Sequence, residues 1–155
     1  MTLVEIYLLV ASRSIALIGA FGLAMSLTGC AKATKLADCS KLTSATTPHM
    51  RAVQAAILKM NSESEASTAS VKAVGSAMEK LADVVKELGL KDEKLKSLAK
   101  EYEATYREGA QAAKDLATAI DKQDAAAAEK TSKTLQMVET KESNLVDALN
   151  AYCRS

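Results

Sequence analysis

The spacing of apolar and small residues constrains this chain more than any other feature. Between residues 95 and 119 these positions alternate in steps of three and four without a break, and segments 50–60, 71–88 and 128–152 follow the same rhythm. This period places the residues on one face of an α-helix and does not fit a strand. In the longest segment the positions are Leu95, Leu98, Tyr102, Thr105, Gly109, Ala112, Leu116 and Ala119, widened by Ala99, Tyr106, Ala113 and Ile120. The pattern predicts amphipathic helices that pack face to face.

Residues that start and stop helices divide the periodic region into four. Pro48, with Thr47 before it as the cap, favours a helix start, because the residue before proline avoids the α region. The Ser-rich segment 61–70 is the best place for a turn, and Gly89 stands where a C-terminal glycine cap belongs. Asp92 can cap the third helix, and the fourth helix starts near Asp124. We therefore predict an all-α fold, an antiparallel up-down-up-down four-helix bundle.

An apolar segment precedes the periodic region. Residues 14–26, after Arg13, are uncharged and mostly apolar, with the length of a secretory signal peptide. They lead into Leu27-Thr28-Gly29-Cys30, which resembles the lipobox of bacterial lipoproteins: an aliphatic residue, two small residues and the cysteine that receives lipid. The alternative is an uncleaved membrane helix, but the run is shorter than the roughly 20 residues that span a bilayer. Extending it upstream would place Glu5 and Arg13 in lipid.

The lipobox resemblance implies an address and a domain organisation. Residues 1–29 would be a removed signal peptide, 30–47 the lipidated Cys30 and a tether, and 48–155 the helical bundle domain. The protein would be membrane-anchored and face the periplasm or the outside of a bacterium. In a Gram-negative host, the absence of Asp at position 31 resembles the signal for transport to the outer membrane.

The cysteines bear on the number of helices. With Cys30 assigned to lipid, Cys39 and Cys153 remain, and in an oxidising compartment this pair predicts one disulfide. If the first two helices were fused, the alternative fold of three long helices would separate the pair by tens of ångströms. A disulfide needs Cα atoms within about 7 Å. A disulfide therefore favours four helices, whereas two free thiols would leave both folds open.

No motif for catalysis, metal binding or phosphate binding occurs in the sequence. His49 is the single histidine, and no Cys-x-x-Cys, Gly-x-Ser-x-Gly or phosphate-loop pattern is present. Removing Glu5 and Arg13 with the signal from the 20 basic and 19 acidic side chains leaves 19 and 18, so the mature chain is nearly neutral. A nucleic-acid partner would need a basic face. We therefore expect no metal, no cofactor, no enzyme activity and no nucleic-acid partner.

Glu142 is the one charge in the apolar stripe of the fourth helix. Counting outward from the turns places it in or near one layer with Tyr102, Tyr106 and His49, and with Met50 and Met78. Base rates favour a Glu142 that reaches the rim and stays solvated. The sharper hypothesis is a polar layer that fixes helix register or marks a ligand pocket, because a buried carboxylate needs partners.

Two functions remain open from the sequence. The first is a lipid-anchored interaction or structural module of the cell envelope with a protein partner, and exposed apolar residues on helix 1 or 2 would favour it. The alternative is a small-molecule sensor or carrier that binds an apolar ligand between the helices. A cavity lined by Met50, Met78 and Tyr102 would favour that alternative.

Overall fold

Four α-helices form an antiparallel bundle, which confirms the predicted fold class. The computed structural model describes residues 30–62 and 67–155, and no strand occurs within these two ranges. The helices are α1 (Cys30–Ser62), α2 (Thr68–Glu87), α3 (Glu93–Asp121) and α4 (Ala125–Arg154). The predicted signal peptide, residues 1–29, lies outside the described residues, as do residues 63–66 of the predicted turn.

The predicted end of α2 and the predicted starts of α3 and α4 are confirmed. Asp92 accepts a hydrogen bond from the Leu95 N–H, and Asp124 accepts one from the Ala127 N–H, so each carboxylate satisfies a free amide at a helix start. Gly89 follows α2 with a φ of 53°, a left-handed conformation that glycine adopts without steric cost.

The predicted start of the first helix is wrong. Helix α1 begins at Cys30 rather than at Pro48, and Pro48 lies inside it. Segment 30–47, expected to be a tether, is helical throughout, and its Asp38, Cys39 and Leu42 are buried in the bundle. The first helix is therefore part of the packed domain from its first turns onward.

Helix α1 passes through Pro48, and tertiary packing rather than local preference accounts for this. Proline removes one backbone hydrogen bond, and in a helix interior it costs about 3 kcal/mol. Just before it, Thr46 Oγ1 donates to the Leu42 carbonyl at 2.8 Å and Thr47 Oγ1 donates to the Thr43 carbonyl at 2.7 Å. Both hydroxyls therefore donate to backbone carbonyls of their own helix. Burial of Cys39 and Leu42 adds the tertiary stabilisation that local preference lacks.

The helices pack mainly in chain order. Helix α2 lies closest to α3, α3 packs on α4, and α1 packs on α2, while the backbones of α1 and α4 approach each other at few places. Gly75 permits the close approach of α2 and α3, because a Cβ there would stand 3.1 Å from the Ala110 carbonyl oxygen. All eight periodic positions of α3 predicted from Leu95 to Ala119 are buried. Helix α3 is therefore central to the core.

Helix α4 is less covered than its sequence pattern predicts. Only Val138 is fully buried among its described residues, and Leu135, Leu145 and Leu149 are half-buried. The apolar stripe is correctly placed, but α1 lies on α2 and does not close over α4 along its length. The fourth helix therefore keeps an accessible apolar margin.

A disulfide joins two helices whose backbones approach each other at few places. Cys39 of α1 and Cys153 of α4 are bonded, with their Cα atoms 5.9 Å apart and a sequence separation of 114. This is the predicted pair, and it places the start of α1 beside the end of α4. The alternative of three long helices is thereby excluded.

Reduction of the disulfide should lower stability without removing helicity. Opening a loop of about 100 residues is expected to cost up to about 4.7 kcal/mol through the entropy of the unfolded chain. We expect the urea midpoint of the reduced and alkylated protein to fall while its far-ultraviolet circular dichroism at zero urea stays unchanged. Non-reducing mass spectrometry should find the Cys39 and Cys153 peptides joined. Free alkylation of both thiols in the native oxidised protein would contradict the bond.

Candidate functional site

A polar layer in the middle of the bundle contains two stacked tyrosines of α3. The ring centroids of Tyr102 and Tyr106 are 4.8 Å apart, and the rings are tilted against each other. Tyr106 donates a short hydrogen bond to Oε1 of Glu142 on α4. The hydroxyl oxygens of Tyr102 and Tyr106 lie 2.9 Å and 3.0 Å from the sulfur of Met50 on α1. The tyrosines thus bridge the gap between α1 and α4.

The side chains that make these polar contacts are largely shielded from water. Tyr102 and Tyr106 are only 4% and 3% exposed, and Glu142 is half-buried. A tyrosine hydroxyl has one proton to donate. Tyr106 therefore donates to the carboxylate, and its contact with Met50 is secondary unless Glu142 is protonated and donates instead. The expectation that Glu142 stays solvated at the rim is corrected by this geometry.

The layer shifts the pKa values of its own groups. Burial raises the pKa of the Glu142 carboxyl above its usual value, the Tyr106 hydrogen bond opposes this shift, and nearby Glu139 adds to it. Burial also raises the pKa of both tyrosine hydroxyls, and the charge of Glu142 adds to that effect. The tyrosines stay protonated as donors, and Glu142 is the group in the layer that can change charge.

His49 does not join the layer, although the sequence count placed it there. It is half-buried beside Pro48, and it has no hydrogen-bond or ion-pair partner among the described residues. Met50, its neighbour in sequence, fills the position against the tyrosines instead. Met78 packs against Gly109, where a Cβ would stand 3.0 Å from its sulfur. These methionines contact α3 directly, at the place where a ligand cavity was considered.

A second cluster lies at the end of the bundle that carries the disulfide, and sequence reasoning missed it. Asp38 is 6% exposed, and its Oδ2 accepts hydrogen bonds from the Lys91 N–H at 2.5 Å and the Asp92 N–H at 2.7 Å. These hydrogen bonds lower the pKa of the Asp38 carboxyl, and the backbone N–H of Asp92 contributes most. The position of Asp38 next to Cys39 was the one available clue. Its carboxylate fastens α1 to the turn between α2 and α3.

The last turn of α4 completes this cluster. Tyr152 donates a hydrogen bond to the Asp92 carboxylate at 2.9 Å. Lys35 lies over the Tyr152 ring, 4.4 Å from its centroid, and donates to Ser155 Oγ at 2.9 Å. The start of α1, the turn before α3 and the end of α4 are therefore joined by side-chain contacts in addition to the disulfide.

Three large apolar side chains remain exposed on the described surface. Leu36 and Leu58 of α1 are 53% and 62% exposed, and Met137 of α4 is 54% exposed. Between the two leucines, the outward positions of α1 are mostly small or hydroxylated residues. Exposed apolar residues on helix 1 were the feature expected of an interaction module.

The predicted chemistry of residue 30 depends on its place in the fold. Cys30, the last residue of the segment that resembles a lipobox, is the first residue of α1.

Within residues 30–62 and 67–155, no helix is long and apolar enough to cross a membrane. No group of three or more His, Cys, Asp or Glu side chains in these ranges could hold a metal ion.

Comparisons with known proteins add no family. Protein-family models, curated proteins and solved structures all gave no match to this chain. The functional argument therefore rests on the residues described above.

Replacing Glu142 with Gln should make the protein less sensitive to pH. Because the folded pKa is raised, the folded state binds this proton more tightly than the unfolded state does. The free energy of unfolding then falls as pH rises from the usual 4.5 through the folded pKa. We expect Glu142→Gln to gain stability relative to the parent between about pH 5 and about pH 7. Urea unfolding at several pH values measures this difference.

The matched control is Glu101→Gln, which removes an exposed carboxylate from the neighbouring helix. Its stability difference from the parent should stay constant over the same pH range. Parallel curves for Glu142→Gln and the parent would mean that Glu142 is solvated and that the layer does not perturb it.

Replacing Asp38 with Ala should destabilise the cross-linked end. The Lys91 and Asp92 amides would lose their acceptor, and stranding a buried donor costs about 1–3 kcal/mol. Because the pKa of Asp38 is lowered, its contribution is present above the usual 3.8 and is lost as pH falls through the folded pKa. Urea unfolding near neutral pH should show the loss, whereas the exposed Asp147→Ala should stay near the parent. Equal curves for the two variants would contradict the role of Asp38.

Proposed function

We propose that this protein is a lipid-anchored module of the bacterial cell envelope, in which a helical bundle presents a surface to a protein partner. The observation that carries the proposal is the exposure of Leu36 and Leu58 on α1, the helix that begins at the predicted lipid-bearing residue. Scattered exposed leucines are common on soluble proteins. Here they share one helix, most exposed positions between them are small or hydroxylated residues, and that helix starts at the predicted lipidation residue.

The two leucines lie on nearly the same side of α1. They are about 33 Å apart along the helix axis at 1.5 Å per residue. Between them run Ser40, Thr43, Thr47 and Ala55, all exposed or half-buried and uncharged, and the exposed Arg51 is the one charged residue of this strip. A partner helix or extended segment laid along α1 would contact both leucines. Small side chains between them would let its backbone approach closely.

The small-molecule alternative has less support. This alternative requires a cavity lined by Met50, Met78 and Tyr102, but the Met50 sulfur lies 2.9 Å from the Tyr102 hydroxyl oxygen. Met78 packs against the Gly109 backbone. An apolar ligand would have to displace these contacts. We therefore favour the interaction module.

Substitution of Cys30 tests the anchor. The resemblance to a lipobox requires a thiol at this position, so Cys30→Ser should abolish palmitate labelling and release the protein or leave an unprocessed precursor. Several acyl chains are needed for stable anchoring, since a single chain binds membranes only marginally. Cys39→Ser is the control, because it removes a different cysteine and should keep the label. Labelling that persists in Cys30→Ser would contradict lipidation at this residue.

Substitution of Leu58 tests the surface. The parent, Leu58→Glu and Met137→Glu would be cross-linked in cells of the source organism and purified from its membranes. Both leucine and methionine are exposed, so both variants should keep the stability of the parent within about half a kcal/mol. We expect a cross-linked protein with the parent and with Met137→Glu, and several-fold less with Leu58→Glu. The same cross-linked protein at equal yield in all three would contradict a docking role for α1.

Analysis of the purified parent for small molecules distinguishes the alternative. A stoichiometric apolar compound, without any cross-linked protein, would favour a sensor or carrier instead.

A further inference from the structure

The start of α1 places one end of the bundle next to the membrane. Helix α1 begins at Cys30, so no irregular segment separates this residue from the packed domain. Asp38, which is fastened to the turn before α3, follows two helical turns later, about 12 Å along the axis. A membrane anchor at residue 30 would therefore hold the end of the bundle with the disulfide within about 12 Å of the headgroups.

Charge is distributed unevenly between α1 and the other helices. The basic residues of α1 form no ion pair among the described residues, whereas each of α2, α3 and α4 has lysine or arginine in ion pairs. The only acidic residue of α1 is Asp38, which is buried and hydrogen-bonded to two amides. The basic residues of α1 are Lys32, Lys35, Lys41, Arg51 and Lys59.

Three of these lysines lie in the first turns of α1, at the end near the predicted anchor. Residues 30–41, 86–97 and 147–155 together form this end, which we name the basic end. It contains eight basic and five acidic side chains. Three acidic groups are engaged: Asp38 and Asp92 accept backbone hydrogen bonds, and Glu93 pairs with Lys96. Glu87 and Asp147 are exposed. The basic side chains are Lys32, Lys35, Lys41, Lys86, Lys91, Lys94, Lys96 and Arg154.

We propose that the basic end binds the headgroups of an anionic lipid surface, so that the bundle stands on the membrane with its disulfide end downward. This inference rests on the proposed membrane anchor at Cys30. The anchor supplies proximity, and the lysines supply attraction to negative charge. Electrostatic attraction at physiological salt extends about 8 Å, a distance comparable with the two helical turns between residue 30 and Asp38.

The contacts at the basic end hold its three parts together, so that they would meet a membrane as one unit. The disulfide, the Asp38 hydrogen bonds and the Lys35–Tyr152 contact join three helices there. A bundle that stands in this way would present the outer face of α1, with Leu58 toward the far end, away from the bilayer. A partner in the periplasm or outside the cell could reach that face.

Lysine acetylation followed by mass spectrometry tests the orientation. The protein, purified from membranes in its anchored form, would be placed in vesicles of phosphatidylcholine alone or with phosphatidylglycerol added. We expect Lys32, Lys41 and Lys91 to react several-fold more slowly in the anionic vesicles, and high salt should remove this protection. Lys59 is the matched control, because it lies on the same helix at the other end and likewise has no ion pair with any residue that the structure describes. Its reactivity should be equal in both vesicles.

Neutralising the basic end provides an independent check. In the double variant Lys32→Gln/Lys91→Gln, the protection of Lys41 by anionic vesicles should be lost. The control Lys59→Gln/Lys122→Gln changes the same number of charges at the opposite end and should keep that protection. Equal protection in neutral and anionic vesicles, or equal reactivity at both ends, would overturn the proposal. Protection that appears only when an envelope protein is added would also overturn it, in favour of an acidic protein partner.

The mass of the N-terminal peptide separates this inference from the proposed function. Acylated Cys30 without protection of the basic end contradicts the orientation and leaves the anchor intact. Unmodified Cys30 contradicts the anchor, and protection by anionic vesicles in that protein would show that the basic end binds headgroups by charge alone. Unmodified Cys30 without protection contradicts both.

Discussion

The bond between Cys39 and Cys153 is the constraint on which the arrangement of the bundle depends. The backbones of α1 and α4 approach each other at few places, although side chains of both helices contribute to the same core cluster. The disulfide closes a loop of 114 residues and fixes the start of α1 to the end of α4. Asp38 and Tyr152, on either side of it, extend the same connection to the turn before α3. A helix with an internal proline is thereby kept in the domain.

The tyrosine layer complements this covalent link at mid-height. The buried face of α3 combines alanines with larger side chains, and Gly109 lies where a Cβ would stand 3.1 Å from Val138 of α4. The hydrogen bond from Tyr106 to Glu142 and the contact of Tyr102 with Met50 exist in one register only. A buried polar group lowers stability unless it is paired, but it can specify one arrangement. We infer that the layer defines the register of α4 against α3.

Surface charge gives the bundle two different ends and two different sides. On α2, α3 and α4, about half of the lysines and arginines are paired with carboxylates across and along helices. Exposed pairs of this kind contribute little to stability. Helix α1 lacks such pairs, and its exposed side combines unpaired basic residues with Leu36 and Leu58. The helix that starts at Cys30 is therefore the one whose surface is open to other molecules.

The sequence by itself determined the helical class, the buried face of α3, the cap at Asp92, the approximate start of α4 and the cysteine pair, because these follow from local periodicity, local hydrogen bonding and a small number of thiols. Tertiary structure decided the rest. Helix α1 continues through Pro48 because burial of Cys39 and Leu42 outweighs a local preference. His49 lies outside the tyrosine layer and Met50 inside it, since one residue turns a helix by about 100° and counting from turns has a larger error. Asp38 acquired its role from two amides more than 50 residues away, a contact that only the folded chain creates.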